Sequence, residues 1–309
     1  MTTRQLLPLF LVLGGCFQGS DLSEVLPDER IQVNLPMDEG TTAKGLAKDE
    51  IEWSTWYLFT ASTTENINAM IASVLFWVDT VTTNHRPSYV DRDTNQAEWG
   101  PWSTALDPVE TMLWVDYDID NDAHAWGFDQ WPRDAEREDA TTVIIGEVDP
   151  GATREISSGR FDVDFNTINE LDPTETTTGL FQVEYDIHES GVTAQAIFTD
   201  FGEDQLDATY AYDQLFEGDG MMDLVLTADV NPESGTALEE SWYTRSRWKA
   251  DGSGRVDIRV TGGDLGELVA NISECWSNGF EQVWYSESLT GIETGDASLC
   301  AFDQPEYNE

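Results

Sequence analysis

From Pro87 to the C-terminus, the sequence consists of many short segments in which apolar and polar residues alternate. Clear cases lie at 115–119, 161–165 and 183–187, and similar runs recur at 142–148, 192–201, 206–213, 221–230, 241–250, 255–262, 267–276, 280–286 and 297–302. A period of two is typical of strands that bury one face, and turn-forming residues separate these runs. So many strands with almost no helix between them predict one antiparallel meander, which closes or nearly closes to hide its edges.

One helix is predicted before the strands. Ser62 and Glu65 match a capping box, so we place the helix at about residues 63 to 82. An amphipathic membrane helix is the alternative, but it would want Lys or Arg on its polar face, and this segment has neither. The apolar side of this helix must therefore pack against another large element of the protein. Its apolar members follow the i, i+3, i+4, i+7 spacing: Ile67, Met70, Ile71, Val74, Leu75, Val78 and Val81.

The charge balance limits the partners of this chain. There are 60 acidic residues against 15 Lys and Arg, which gives a formal net charge of −45 at neutral pH. Nucleic acid is not an expected partner, because phosphate contacts need a cationic surface. Anionic lipid headgroups should also repel the body of the protein.

The N-terminus contains a short apolar run, Leu6 to Leu13, behind a single basic residue, Arg4. About 20 apolar residues are needed to span a bilayer as a helix. The run is too short for that, and it is typical of the hydrophobic part of a signal peptide.

The run ends in Leu13-Gly14-Gly15-Cys16, which resembles the lipobox of bacterial lipoproteins. The resemblance covers the first 16 residues and implies removal of a signal peptide, residues 1–15. It also implies that Cys16 carries a diacylglycerol on its sulfur and an acyl chain on its new amine, which together anchor a protein stably to a membrane. Phe17 after the cysteine implies the outer membrane rather than the inner one.

The acidic stretch after Cys16 contains Pro27, Pro36, Gly40 and Gly45 and shows no clear periodicity. We predict that residues 16–50 comprise the lipidated cysteine and a flexible tether. Residues 51–309 are then a single β-rich domain.

Two cysteines remain once Cys16 is lipidated, namely Cys275 and Cys300. Disulfides form in exported proteins, so we expect these two to pair. Two independent buried thiols are the alternative.

The stretch Asp116-Tyr-Asp118-Ile-Asp120-Asn-Asp122 has the oxygen spacing of the start of an EF-hand loop. However, position 6 is Asn121 instead of glycine, and no glutamate stands at position 12. Because acids alternate with apolar residues in other strands too, we favour a solvated strand face with a turn. Weak binding of divalent cations remains the alternative.

A basic patch is predicted around the turn Gly252-Ser253-Gly254. If this turn is a three-residue loop, Trp248 pairs with Ile258 and all the charged side chains fall on one face of the hairpin. The patch can receive an anionic ligand or be neutralised by acidic neighbours, and we favour neutralisation. Its members are Arg245, Arg247, Lys249, Arg255 and Arg259.

The sequence offers little catalytic machinery. The three histidines, at 85, 124 and 188, lack metal-ligand spacing, and no nucleophile or nucleotide-binding motif is found. We expect no cofactor, and an enzyme is the less favoured interpretation. Paired carboxylates of a polysaccharide hydrolase stay open as an alternative. Several tryptophans can stack on sugars or hold an apolar ligand, although most should pack in the core: Trp99, Trp102, Trp126, Trp131, Trp276 and Trp284.

A second resemblance covers the body of the chain. The order of a helix, Trp99-Gly-Pro, many strands, Glu274-Cys275-Trp276 and a final Cys300 is similar to certain uncharacterised β-rich lipoproteins of Gram-negative bacteria. No functional residue follows from it. We predict a mainly β protein, a barrel or strongly curved sheet packed on one helix, that serves as a lipid-anchored, non-enzymatic structural or ligand-binding protein. A carrier of an apolar ligand is a further alternative.

Overall fold

The computed structural model describes residues 22–27, 31–32, 53–216, 218–229 and 238–307. The predicted signal peptide, Cys16 and most of the predicted tether lie outside these residues. No helix in the described ranges is both long enough and apolar enough to cross a bilayer.

Within the described ranges, fifteen strands form one antiparallel sheet in which every strand pairs with its neighbours in sequence. The predicted meander is confirmed, and the sheet stays open, with β1 and β15 at its two edges. One predicted strand, 297–302, is wrong, because a 3₁₀ turn occupies Ala297–Leu299. The strands are β1 (Tyr89–Asp91), β2 (Gln96–Trp102), β3 (Val109–Asp118), β4 (Ala123–Pro132), β5 (Thr141–Val148), β6 (Ser157–Asp164), β7 (Leu180–His188), β8 (Gly191–Phe201), β9 (Leu206–Leu215), β10 (Gly220–Ala228), β11 (Glu240–Trp248), β12 (Gly254–Gly262), β13 (Val269–Trp276), β14 (Gln282–Glu287) and β15 (Ile292–Gly295).

The helix α1 (Thr55–Asn84) packs on one face of the sheet, which we call the inner face. It begins eight residues before the predicted start, so the capping box at Ser62 is wrong. Ser54 is the N-cap and accepts a hydrogen bond from the Tyr57 backbone N–H, whereas Ser62 lies inside the helix and donates to the Phe59 carbonyl. The predicted apolar stripe does face the core, where its buried members include Ile71 and Leu75. A second helix, α2 (Phe165–Leu171), links β6 to β7.

A buried carboxyl group fixes the start of α1 to the sheet. Glu274 of β13 is 2% exposed and accepts hydrogen bonds from the Ser54 hydroxyl and from the Trp56 backbone N–H, the latter at 3.1 Å. One turn further on, the Thr60 hydroxyl lies 2.6 Å from the Ser246 hydroxyl of β11. Burial raises the pKa of Glu274 above its ordinary value, although the two donors act in the opposite direction.

The most N-terminal residues that the structure describes, 22–27 and 31–32, pack against the core of the domain. Leu22, Leu26 and Ile31 are buried in the same apolar cluster as α1 and the sheet. The Ser157 hydroxyl of β6 donates to the Val25 carbonyl at 2.8 Å, and Tyr212 of β9 donates to the Ile31 carbonyl. Residues 22–27 and 31–32, which fall within the predicted tether 16–50, are thus packed against the domain.

Large aromatic rings on the sheet repeatedly lie over a glycine of the neighbouring strand. For example, Trp126 of β4 faces Gly146 of β5, and Trp248 of β11 faces Gly220 of β10. A methyl group added to Gly254 would lie 2.2 Å from a ring atom of Trp276. These rings pack directly on the backbone at glycine positions, so the tryptophans among them stabilise the sheet rather than bind a ligand. The pairs are Trp114 with Gly127, Trp126 with Gly146, Tyr185 with Gly159, Trp248 with Gly220 and Trp276 with Gly254.

The substitution Gly254→Ala tests this packing. Because its new methyl group overlaps the Trp276 ring and lies 2.6 Å from the Arg247 carbonyl, we expect the free energy of unfolding to fall by about 2 kcal/mol or more. Gly279→Ala is the matched control, since the nearest atom to its added methyl is 3.5 Å away. Urea denaturation measures both; equal stability of the two variants would contradict this packing.

The substitution Glu274→Gln tests the buried carboxyl group at the start of α1. The raised pKa means that the folded protein holds a proton on Glu274 that the unfolded chain has already released. Stability from this group is therefore present at low pH and is lost as pH rises from the ordinary glutamate pKa through the raised one. The unfolding free energy of the wild type minus that of the variant should fall over this window in urea titrations. Glu267→Gln is the control, since it makes the same charge change at an exposed position. If the stability difference between the wild type and Glu274→Gln rises with pH instead of falling, this account of Glu274 is contradicted.

Candidate functional site

An aromatic cleft lies where the C-terminal end of α1 meets β2. It has a volume of about 570 Å³, and we call it the aromatic cleft throughout. Its lining includes four aromatic side chains and two residues with basic side chains. The lining residues are Phe76, Trp77, Thr80, Val81, His85, Arg86, Trp99, Gly100 and Trp102.

The local backbone of β2 explains why two tryptophans three residues apart face the same cleft. Regular strand alternation would place Trp99 and Trp102 on opposite faces. Instead, the pairing with β3 shifts between them, so that Trp99 lies opposite Leu113 and Trp102 opposite Thr111. Gly100 permits this irregularity, because its φ of 109° is one that a residue with a side chain rarely adopts.

The rings differ in their freedom to meet a ligand. Trp99 is buried and donates from its indole nitrogen to the His85 carbonyl at 2.9 Å, which ties β2 to the end of α1. Trp77 is 50% exposed, and its ring centroid lies 6.4 Å from that of Trp102. Phe76 is 67% exposed at the rim. Trp99 therefore forms the floor, while Trp77 and Phe76 present their faces to the solvent.

The chemistry of the cleft favours binding over catalysis. Among the lining residues there is no Asp or Glu, so no carboxyl pair is present there for general acid and base work. Aromatic faces bind apolar surfaces and stack on flat or CH-rich groups. His85 and Arg86 add hydrogen-bond donors and positive charge at one side. The cleft is suited to a ligand with an apolar face and a polar or anionic edge.

The sequence identified only part of this site. Trp99 and Trp102 were among the candidate ligand-stacking residues, and the structure brings them together. Trp126 and Trp276 are buried in the sheet, Trp131 is buried elsewhere, and Trp284 lies on the outer face. The contribution of α1 was missed. Phe76 and Trp77 fall outside the apolar stripe of the helix, and large aromatic residues at such solvent-facing positions could have indicated a binding surface.

The four aspartates of the EF-hand-like stretch lie around the hairpin between β3 and β4. Asp118 accepts hydrogen bonds from Asn121, which lower the pKa of its carboxyl group, and Asp122 accepts from the Tyr117 hydroxyl at 2.8 Å. Asp116 is half-buried, which raises the pKa of its carboxyl group, and Asp120 is exposed in the turn. In the parts of the chain that the structure describes, no group of three or more His, Cys, Asp or Glu is arranged to hold a metal ion.

The basic patch lies on the outer face of β11 and β12, but in a different register from the predicted one. Trp248 pairs with Gly254 and Thr244 with Ile258, so the loop between the strands has five residues rather than three. The shift is four residues, an even number, and the apolar and charged faces therefore stay as predicted. Arg259 occupies the same face, opposite Tyr243.

Acidic groups neutralise most of this patch. Arg245 pairs with Asp223 at 2.7 Å and Lys249 with Asp219 at 2.7 Å. The fully buried Asp257 accepts from Arg247 and from Arg255, each at 2.8 Å.

The end of the chain covers the patch. Residues 300–307, which we call the C-terminal strap, are joined to β13 by the predicted disulfide between Cys275 and Cys300. Glu306 accepts from Arg247 at 2.6 Å, and the Phe302 ring lies under Arg247 and Lys249. The position where an anionic ligand would bind is thus occupied by a carboxylate of the same chain.

Comparison with known proteins returns no relative: no family model, no curated protein and no solved structure matches this chain.

Proposed function

We propose that this chain is an exported protein of the cell envelope, anchored by lipid on Cys16, which binds a partner through the aromatic cleft without catalysing a reaction. The lipobox-like end of the N-terminal apolar run supports export and anchoring, as part of the group of β-rich lipoproteins that the sequence resembles. The disulfide between Cys275 and Cys300 fits an oxidising compartment. The outer membrane is the proposed location, and nucleic acid is excluded from the proposed partners by the net charge of −45.

The observation that carries the binding function is the aromatic cleft itself. Burying large aromatic residues is favourable, so an exposed tryptophan beside an exposed phenylalanine is unusual unless a partner covers them. The partner is one that presents an apolar face, such as a small apolar molecule, the CH face of a sugar or the acyl region of a lipid. A carrier with a ligand inside the domain is less well supported, because side chains from α1, the sheet and residues 22–27 and 31–32 share one apolar core there.

A polysaccharide hydrolase is the second candidate, and one observation favours it. A groove of about 510 Å³ on the outer face of β5 to β8 contains Glu147, Asp162 and Glu184. Glu147 is paired with Arg160 at 2.8 Å, and Gln182 donates to Asp162 at 3.2 Å. All three acids are exposed, and two of them, Glu147 and Asp162, are already engaged by these neighbours. Binding through the aromatic cleft therefore remains the favoured proposal.

An uncharged fluorescent probe tests the cleft. N-phenyl-1-naphthylamine should bind the wild type, and Trp77→Ser should weaken binding roughly tenfold because one stacking face is removed. Trp284→Ser removes a tryptophan from the outer face and should leave the affinity unchanged. Equal affinities of both variants would reject the cleft as a binding site, and release of reducing sugar that depends on Glu184 would favour the hydrolase.

The anchor is tested by metabolic labelling with palmitate in a Gram-negative host. The wild type should take up the label and sediment with membranes, while Cys16→Ala should lose both properties, because the acyl chains supply the affinity for the membrane. Cys275→Ala is the matched cysteine control and should keep the label. Unchanged labelling and fractionation of the Cys16 variant would contradict lipidation.

A further inference from the structure

We propose that the partner of the aromatic cleft is the surface of the bilayer that holds the lipid on Cys16. This inference rests on the proposed lipid anchor. The rim of the cleft, formed by Phe76, Trp77 and Trp102, enters the boundary between headgroups and acyl chains and fixes the orientation of the domain on the membrane.

The length of chain between the anchor and the core supports this placement. Leu22 is 3% exposed and belongs to the main apolar cluster. Only five residues separate it from Cys16. Six steps along a fully extended chain reach about 20 Å, so Leu22 and the part of the core around it stay within that distance of the anchored Cys16. A free tether up to residue 50 would have allowed the domain to move far from the membrane and to take any orientation.

The same N-terminal residues lie beside the exposed aromatic rim. Pro27 and Ile31 line a second cavity, of about 340 Å³, together with Leu75 and Phe76 of α1. Phe76 also lines the aromatic cleft. The segment that follows the anchor and the rim of the cleft therefore share one region of α1, and a short link to the membrane brings this region close to it.

The side chains of the region suit a lipid interface. Tryptophan is favoured at the level of the headgroups, where its ring is amphipathic, and phenylalanine is favoured deeper. Trp77 and Phe76 are the exposed aromatic residues, and Arg86 beside them can approach lipid phosphates. The lining of the cleft has no carboxylate, so no acidic group of the cleft itself repels the headgroups.

Fluorescence quenching by brominated lipid tests this orientation in the full-length lipidated protein. The protein is placed in vesicles of phosphatidylcholine and phosphatidylethanolamine, with and without phosphatidylcholine brominated near the top of the acyl chain. The emission of the wild type minus that of Trp77→Phe isolates Trp77. We expect brominated lipid to reduce this difference roughly twofold. Trp284→Phe isolates a tryptophan on the opposite face of the sheet, and its emission should be unaffected.

The outcomes separate the docking from the anchor. Protein that is labelled with palmitate and floats with the vesicles, but whose Trp77 emission is unaffected by brominated lipid, overturns the docking and leaves the anchor standing. Protein that takes up no palmitate overturns both. Emission of Trp77 that responds to soluble dextran and not to brominated lipid assigns the cleft to carbohydrate, which also overturns the docking. Quenching that Cys16→Ala abolishes together with flotation supports the proposal.

Discussion

The whole structure depends on covering the inner face of a long antiparallel sheet. Strands β2 to β13 contribute apolar residues to the core on that face, and an open sheet cannot bury them against itself as a closed barrel does. One helix, α1, supplies the cover, and residues 22–27 and 31–32 fill the space beside it. Because α1 is 30 residues long, its apolar stripe must stay aligned with the inner face of the sheet over its full length. Glu274 and Ser54 set that register at the N-terminal end, and Trp99 and His85 set it at the C-terminal end.

The two faces of the sheet are stabilised by different means. On the inner face, four aromatic rings lie over glycines of neighbouring strands, namely Trp126, Tyr185, Trp248 and Trp276, which lets bulky residues pack close to the backbone. On the outer face of β11 to β13, a buried Asp257 holds Arg247 and Arg255, and the C-terminal strap closes over them. Removing one partner of a buried ion pair is strongly destabilising, and the strap adds two acceptors for Arg247, the Glu306 carboxylate and the Gln304 carbonyl. The disulfide at Cys300 holds the strap in place.

The fold class could be predicted because alternation with a period of two is a local property. The apolar stripe of α1 was readable for the same reason. The start of α1 could not be predicted in this way. Trp56, Tyr57 and Phe59 make the first turns apolar nearly all round, so no stripe marks them, and the N-cap Ser54 is held by Glu274 from a strand distant in sequence. The loop of the β11–β12 hairpin was misjudged because alternation fixes the parity of a register but not its value.

The candidate site was predictable only in part. Trp99 and Trp102 stand out in the sequence, but their shared orientation comes from an irregularity in β2. Their meeting with Trp77 requires knowledge of how α1 lies on the sheet. The burial of residues 22–27 and 31–32 could not be predicted either, since Leu22, Leu26 and Ile31 follow no clear period and are recognisable as core residues only once the sheet and α1 are placed around them.

Native-state hydrogen exchange tests most directly whether the helix and the sheet depend on each other. The amides of Ile71 and Leu75 on α1 should exchange with the same free energy as those of Val183 and Ile258 in the sheet, and with the same dependence on urea. That result would mean that α1 leaves the inner face only when the whole domain unfolds. Exchange of the α1 amides through a separate opening of clearly lower free energy, with the sheet still protected, would contradict this account.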